Sequence, residues 1–310
     1  MQKMIVVTVD GSQNALKPLD FIDALFGRPP NLKIVLFHVL PGLPPAIVEE
    51  SRKNPPIALD LQKIEKKNIA AAERLLAHAK SRLLQKGFAP AAVETVYRKR
   101  QIGIARDICS WSEDQRADAM VIATRGRGRL SAFFMGEIAN KVLEFTRVCP
   151  VWMIKGTVQA PNVLVAVDNS ENALRAVDHA GFMLAGLDAH VTVFHSRKDL
   201  RRLAPRALLD EFPELTKTWQ HKTGEVVAPY LKKAEAMLLQ AGLVENQVTV
   251  KVVDQGRSAA DDILQEASRS AAGAIFLGKR GYSSVKDFAM GSVARKTLTQ
   301  AKDMAICVVP

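Results

Sequence analysis

Hydrophobic and polar positions along the 310-residue chain fall into two alternating patterns. Short, predominantly apolar runs rich in β-branched residues occupy positions 4–9, 32–39, 92–97, 119–123 and 150–154, and again 163–167, 191–195, 248–253, 274–277 and 305–309. Runs of this length suit strands covered on both faces, the situation of a parallel sheet with helices on either side. Between them, apolar residues recur at helical spacing: Leu61, Ile64, Leu75, Leu76, Ala79 and Leu83 with Gly87 as a C-terminal stop, then 104–112, 137–146, 226–241, 259–267 and 293–300. Strand–helix alternation predicts an α/β fold.

The pattern also repeats. Val6-Val7-Thr8-Val9-Asp10-Gly11-Ser12 returns as Leu164-Val165-Ala166-Val167-Asp168-Asn169-Ser170, and the Phe37-His38 pair returns as Phe194-His195. From Gly87 onward the halves align without a gap: Gly87 on Gly242, Asp107-Ile108 on Asp262-Ile263, Met135-Gly136 on Met290-Gly291, Lys141 on Lys296. The expectation is therefore two tandem Rossmann-like domains, 1–156 and 157–310, each a five-stranded mostly parallel sheet with helices on both faces. Two stretches interrupt the pattern: 41–56, with five prolines, and 197–223, with charges, Pro205 and Pro213. Both follow the second strand of their repeat and so hang off the carboxyl edge of the sheet, where ligands bind in open α/β folds; lids, partner surfaces and solvated loops are all compatible with them.

Chemistry concentrates after the fourth strand of the second repeat. Leu277 is followed by Gly278-Lys279-Arg280-Gly281, nine residues, and Gly291-Ser292-Val293 at the start of a helix. The glycines permit a tight turn and close approach of main-chain N–H groups to phosphate oxygens. A helix N-terminus adds free N–H groups and the positive end of the dipole, while Lys279 and Arg280 add charge near the same edge. The alternative is a structural turn before an ordinary capped helix, Ser being a common cap.

This spacing resembles the ATP-binding motif of the universal stress protein family. The resemblance covers nearly the whole chain twice, including the Val167-Asp168-x-Ser170 end of the opening strand, the Phe-His strand, the glycine motif and the short final strand. It implies an adenine nucleotide alpha hydrolase-like fold and ATP, with or without Mg2+, as ligand. It implies that Asp168 helps hold the adenine–ribose end, with Val167 and Ser170 in the same set, and that the main chain near Ser196 contacts adenine. Gly278, Gly281, Gly291, Ser292 and Val293 would surround the phosphates. Read without the family, Asp168 is a cap on the helix entry at Asn169–Ser170. The resemblance further implies that strands 150–154 and 305–309 pair within the chain as a pseudo-dimer; a homodimer of chains and an unidentified protein partner are compatible with it.

The first repeat departs from the motif. Ala123 replaces the first glycine and Glu137 the serine, in Ile122-Ala123-Thr124-Arg125-Gly126 and Gly136-Glu137-Ile138. A methyl group obstructs the close approach, and a carboxylate at the helix start satisfies the dipole while repelling phosphate. This repeat is expected to bind ATP poorly or not at all. The nearby Arg125-Gly126-Arg127-Gly128-Arg129 run is the densest basic feature, readable as a polyanion site, a docking loop for an acidic partner, or a solvated loop.

Charge and composition narrow the picture. The net charge is +11, but the basic residues are scattered and lack the interleaved aromatics of a nucleic-acid platform, so nucleic acid is not the expected partner. Apolar runs are strand-sized, no signal-peptide pattern opens the chain, and a cytoplasmic, non-membrane protein is expected. Cys109, Cys149 and Cys307 are isolated, which favours buried thiols over a metal or disulfide framework. His38 and His195 recur at equivalent strand ends, either as general bases or as hydrogen-bonded histidines at the sheet edge. Walker, nucleophile-elbow and kinase patterns are absent. Three functions fit: an ATP-binding regulator of the stress-response type without efficient catalysis, a slow ATPase, or a scaffold with a vestigial site.

Overall fold

A computed structural model describes residues 2–12, 14–124, 136–158, 161–197, 200, 206–254, 258–281 and 290–310. The first repeat runs β1 (Lys3–Thr8), α1 (Lys17–Phe26), β2 (Leu32–Leu40), α2 (Pro45–Ser51), α3 (Pro55–Gln85), β3 (Val93–Lys99), α4 (Ile104–Asp114), β4 (Ala119–Ala123), α5 (Glu137–Phe145) and β5 (Val151–Lys155). The second follows with β6 (Val163–Ala166), α6 (Glu171–Leu184), β7 (Val191–Arg197), α7 (Arg206–Asp210), α8 (Pro213–Gln240), β8 (Val248–Asp254), α9 (Ala259–Arg269), β9 (Ala274–Gly278), α10 (Ser292–Gln300) and β10 (Met304–Val309). All ten strands read from the apolar runs are present, with no end shifted by more than two residues.

The strands form one sheet in the order β3-β2-β1-β4-β5-β10-β9-β6-β7-β8. Within each repeat the pairings are parallel, as at Ile5↔Ile34 and Val165↔Val193. The repeats meet through one antiparallel pairing, β5 on β10, with Met153 opposite Ile306 and Trp152 opposite Cys307. Each repeat is thus a Rossmann-like α/β unit. Side chains alternate across every strand: Ile5 and Val7 pack beneath α1 and α3, whereas Val6 packs on the opposite face with residues of α4 and α5. Both cores continue across the β5–β10 seam, the first with α6 and α8, the second with α9 and α10.

The two interrupting stretches are largely helical. Pro45, Pro55 and Pro213 each stand in the first turn of a helix, where a missing N–H costs nothing and the fixed φ is favourable. The stretch 41–56 holds α2 and the start of α3, and 197–223 holds α7 and the first third of α8; residues 198–199 and 201–205 of it lie outside the described residues.

Trp152 is the centre of the seam. It is fully buried, stacks near Phe26 at 5.8 Å and meets Phe21 and Phe276 edge-on at 5.7 and 5.3 Å. Its Nε1 donates to His179 Nε2 of α6 at 2.9 Å. That bond requires an unprotonated Nε2, and complete burial pushes the His179 pKa down to about 3 from 6.5. Between those values the unfolded chain binds a proton that the folded chain excludes, so stability is full above pH 6.5 and falls as the pH drops toward 3. The expected loss from this residue is about 2 kcal/mol between pH 7 and pH 5. Urea midpoints should fall accordingly and should fall less in His179→Gln, which keeps an acceptor but does not titrate; equal pH slopes would contradict the assignment.

Three lysines tie the repeats together. Lys3 Nζ donates to the carbonyls of Met183 and Ala185 at 3.1 Å each. Lys155 reaches Leu298 and Thr299 at 2.6 and 3.0 Å, and Lys279 reaches Thr146 at 2.9 Å. Each crosses to the C-terminal end of a helix of the other repeat, where unsatisfied carbonyls and the negative dipole end attract a cation. Burial lowers the pKa of all three.

Candidate functional site

β6, β7 and β9 of the second repeat end at the same edge, and a cavity of about 690 Å³ opens there. Its floor is Val167 and Asp168 after β6, and His195 and Ser196 in β7; one wall is Gly278 at the end of β9 with Arg280 and Gly281 after it. The start of α10 supplies Gly291, Ser292 and Val293. Of the candidate residues read from the sequence, nine therefore meet around one space, and Ser170 and Lys279 stand outside it. Among the described residues, Arg197, Lys222, Arg280 and Lys296 line the cavity with the carboxylate of Asp168; Lys222 and Lys296 are ion-paired with Glu225 and Asp261, and the balance favours an anion.

Several of these residues hold the fold as well as the cavity. Asp168 Oδ1 accepts from Ser170 N at 3.1 Å and from Ser170 Oγ at 2.5 Å, and Ser170 Oγ accepts from Ala173 N at 3.2 Å to cap α6. Ser170 is thus a helix cap. Ser196 Oγ donates to the buried Asp262 at 2.5 Å, which ties its side chain to α9. Lys279, beside the glycine bend, turns to the carbonyls of Glu144 and Thr146 in the first repeat and so seals the seam, leaving charge at the bend to Arg280.

The three motif glycines have different reasons. A Cβ on Gly278 would lie 2.8 Å from the Asn172 main chain, so the start of α6 excludes a side chain there. At Gly281 a Cβ would lie 2.7 Å from Asp168 Oδ2. Gly291 is unlike both: its φ is −65° and an added Cβ would meet nothing closer than 3.5 Å. Nothing among the described residues demands glycine at 291, and no side chain caps α10. A ligand approaching the N–H groups at the helix start supplies a reason for its bareness.

The histidines resolve toward structure. His195 Nδ1 bonds the Val167 carbonyl at 2.7 Å, and His38 Nδ1 bonds the Val9 carbonyl at 2.6 Å. A carbonyl accepts only, so both rings donate from Nδ1 and latch the ends of adjacent strands. Burial lowers the His195 pKa, outweighing the hydrogen bond to Val167 and the charge of Asp168, so the ring is neutral near pH 7 and a weak base.

Sequence reading set the 197–223 stretch at the ligand edge, with a lid among its readings, but named no residue of it; Trp219, Lys222 and Thr223 of that stretch line the cavity, as does Val226 at the start of the helix read over 226–241. It also missed Lys296, whose Nζ lies 2.7 Å from Ser258 Oγ and 2.8 Å from Asp261 Oδ2; its recurrence as Lys141 was the available signal. In the first repeat, Glu137 opens α5 and pairs with Lys141 at 2.6 Å. The Arg125–Arg129 run, and the residues 282–289 that join the bend to α10, lie outside the described residues. Among the described residues, no three His, Cys, Asp or Glu side chains gather to hold a metal, and no helix is long and apolar enough to cross a membrane.

The model of the universal stress protein family matches residues 1–155 and again 160–308. Among solved structures, a universal stress protein from Archaeoglobus fulgidus DSM 4304 superposes with a TM-score of 0.65 at 18% identity, covering 99% of this chain and 97% of that one. A functionally unknown protein from Pseudomonas aeruginosa PAO1 superposes with a TM-score of 0.55 at 16% identity, covering 99% and 92%. At such identity these likenesses speak for the fold alone. No curated protein matches the chain.

Proposed function

Starting from the fact that the chain belongs to the universal stress protein family, we propose that its second repeat binds ATP and that the protein is a nucleotide-dependent regulator of the stress response without efficient catalysis. The observation that carries this reading is the convergence of Asp168, Ser196, Gly278, Gly281 and the bare start of α10 around one positively lined cavity. Asp168 and the main chain at Ser196 take the adenosine end, while the glycine bend, Ser292, Val293 and Arg280 take the phosphates. With no acidic cluster among the described residues to hold a metal, magnesium would arrive on the phosphate oxygens. His195 is latched through Nδ1 to Val167, and burial lowers the basicity of its Nε2, which weakens it as a base for activating water. We place the boundary between repeats at 156/157, read the antiparallel β5–β10 seam as a pseudo-dimer within one chain, and assign the protein to the cytoplasm.

Repeat one serves as the internal comparison. With Ala123 and Glu137 at the two altered motif positions, it takes no ATP, and the chain binds one equivalent. Equilibrium dialysis tests this: wild type should saturate at one ATP per chain, and Ala123→Gly with Glu137→Ser should raise that toward two. A wild type already at two would remove the role given to Glu137, and a wild type at zero would remove the nucleotide reading.

A further inference from the structure

α3 and α8 occupy equivalent places in the two repeats, and at the offset that sets Gly87 on Gly242 their buried residues coincide. Ala72, Leu76, Ala79 and Leu83 in one correspond to Val227, Leu231, Ala234 and Leu238 in the other. Both helices continue well beyond this docked half, and no residue of 55–71 or of 213–226 is buried. The two overhangs differ in one respect. After its N-terminal prolines α3 contains neither glycine nor proline, whereas α8 contains Gly224 and Pro229 where its overhang joins its docked half.

The physics of that junction is weak helix. Pro229 cannot donate to the Glu225 carbonyl, and its ring crowds it; Gly224 adds backbone freedom. Thr223 Oγ1 bonds the Trp219 and Gln220 carbonyls at 2.8 and 3.2 Å, a side-chain bond that competes with the helical ladder and bends it. Arg197, at the end of β7, reaches the Gln220 carbonyl at 3.4 Å and so joins the overhang to the sheet edge. The inner stripe of α8 continues along the overhang through Thr223 and Trp219, but beneath it lies the cavity instead of a core.

We propose that residues 213–226 are a hinged cover of the nucleotide site, pivoting over Gly224–Pro229 and held down by the bound ligand. Trp219 packs on that ligand and Lys222 counters its charge. The ligand takes the place that core side chains take under the docked half, so the apolar stripe is completed only in the occupied state. This rests on the nucleotide reading of the cavity; the first repeat, with an unbroken α3, carries no such cover.

Hydrogen exchange on the full chain, without and with saturating ATP, tests the cover, with occupancy measured by dialysis on the same preparation. Amides of 213–226 should slow at least tenfold on ATP addition while those of 55–71 in α3 do not change. Gly224→Ala with Pro229→Ala, which rebuilds an uninterrupted helix, should slow the overhang before any ATP is added and shrink the further change. Bound ATP with unaltered exchange at 213–226, or with an equal change at 55–71, overturns the cover and leaves the nucleotide reading standing. A double variant that exchanges like wild type overturns the placement of the hinge, and an absence of bound ATP overturns both cover and nucleotide reading.

Discussion

Gly291→Asp should lower the affinity for ATP by at least about a hundredfold while leaving thermal stability unchanged or slightly raised. The two halves of this expectation come from the same geometry. Gly291 has an ordinary φ of −65° and room for a side chain, and α10 lacks a side-chain cap. An Asp at that N-cap is well suited to the helix and is worth a few tenths of a kcal/mol over Gly. On the proposed reading the same carboxylate would face a triphosphate across the cavity, where like charges away from bulk water cost on the order of a few kcal/mol, and each 1.4 kcal/mol or so is tenfold in affinity. Ser292→Glu should act in the same direction, reproducing the role proposed for Glu137 in the first repeat. Dialysis alongside thermal melting reads both quantities. A variant that folds and still binds ATP at wild-type affinity would remove the phosphates from the start of α10.

The largest effect on stability is expected at Trp152. Trp152→Ala should cost about 3–5 kcal/mol, the usual range for emptying a buried aromatic site, which is a large share of a typical domain's total stability. The side chain is fully buried between Phe21, Phe26 and Phe276, and it lies on β5, the strand that joins the repeats. Its loss also strips His179 Nε2 of its donor. Trp152→Phe keeps most of the packing and removes only that bond, so it should cost less, about 1–3 kcal/mol for an unsatisfied buried group. Urea denaturation of both variants separates the terms; a Trp152→Ala loss under about 1 kcal/mol would mean that the seam is held by the strand pairing and the lysine caps, not by this cluster.

Much of the architecture was legible because strands buried on both faces must be predominantly apolar, and the eight inner runs stand out against the helical spacing; the edge strands β3 and β8 are largely exposed and admit Glu94, Arg98 and Lys251 among their apolar residues. The duplication was legible from the recurring strand ends and from the gap-free match that begins at Gly87 and Gly242; in the structure the same offset sets the buried Val227, Leu231, Ala234 and Leu238 on the buried Ala72, Leu76, Ala79 and Leu83. The first third of α8 was not legible. It overlies a cavity and solvent, so no core imposes an apolar stripe, and Pro213 reads as a breaker although it occupies the first turn of the helix. Trp219 and Lys222 were lost with it.

At the site, the glycine bend and helix start were visible as spacing, but the reasons for each glycine were not. Gly278 answers to the Asn172 main chain and Gly281 to Asp168, contacts between elements more than a hundred residues apart in the chain. Lys279 illustrates the same limit. Its place beside two glycines invites a phosphate role, yet the side chain leaves the bend for the carbonyls of Glu144 and Thr146 in the other repeat. Only the packing of the two repeats decides which way it points.

The central claim is that one adenine nucleotide sits in the second repeat. Photolabelling of the full chain with 8-azido-ATP, followed by peptide mapping, tests it most directly. The account predicts adducts on peptides of the cavity wall, around Asp168–Ser170, Ser196–Arg197 or α8, that disappear when unlabelled ATP is in excess. Competable labelling confined to residues 1–156, or labelling that ATP does not displace, would contradict it.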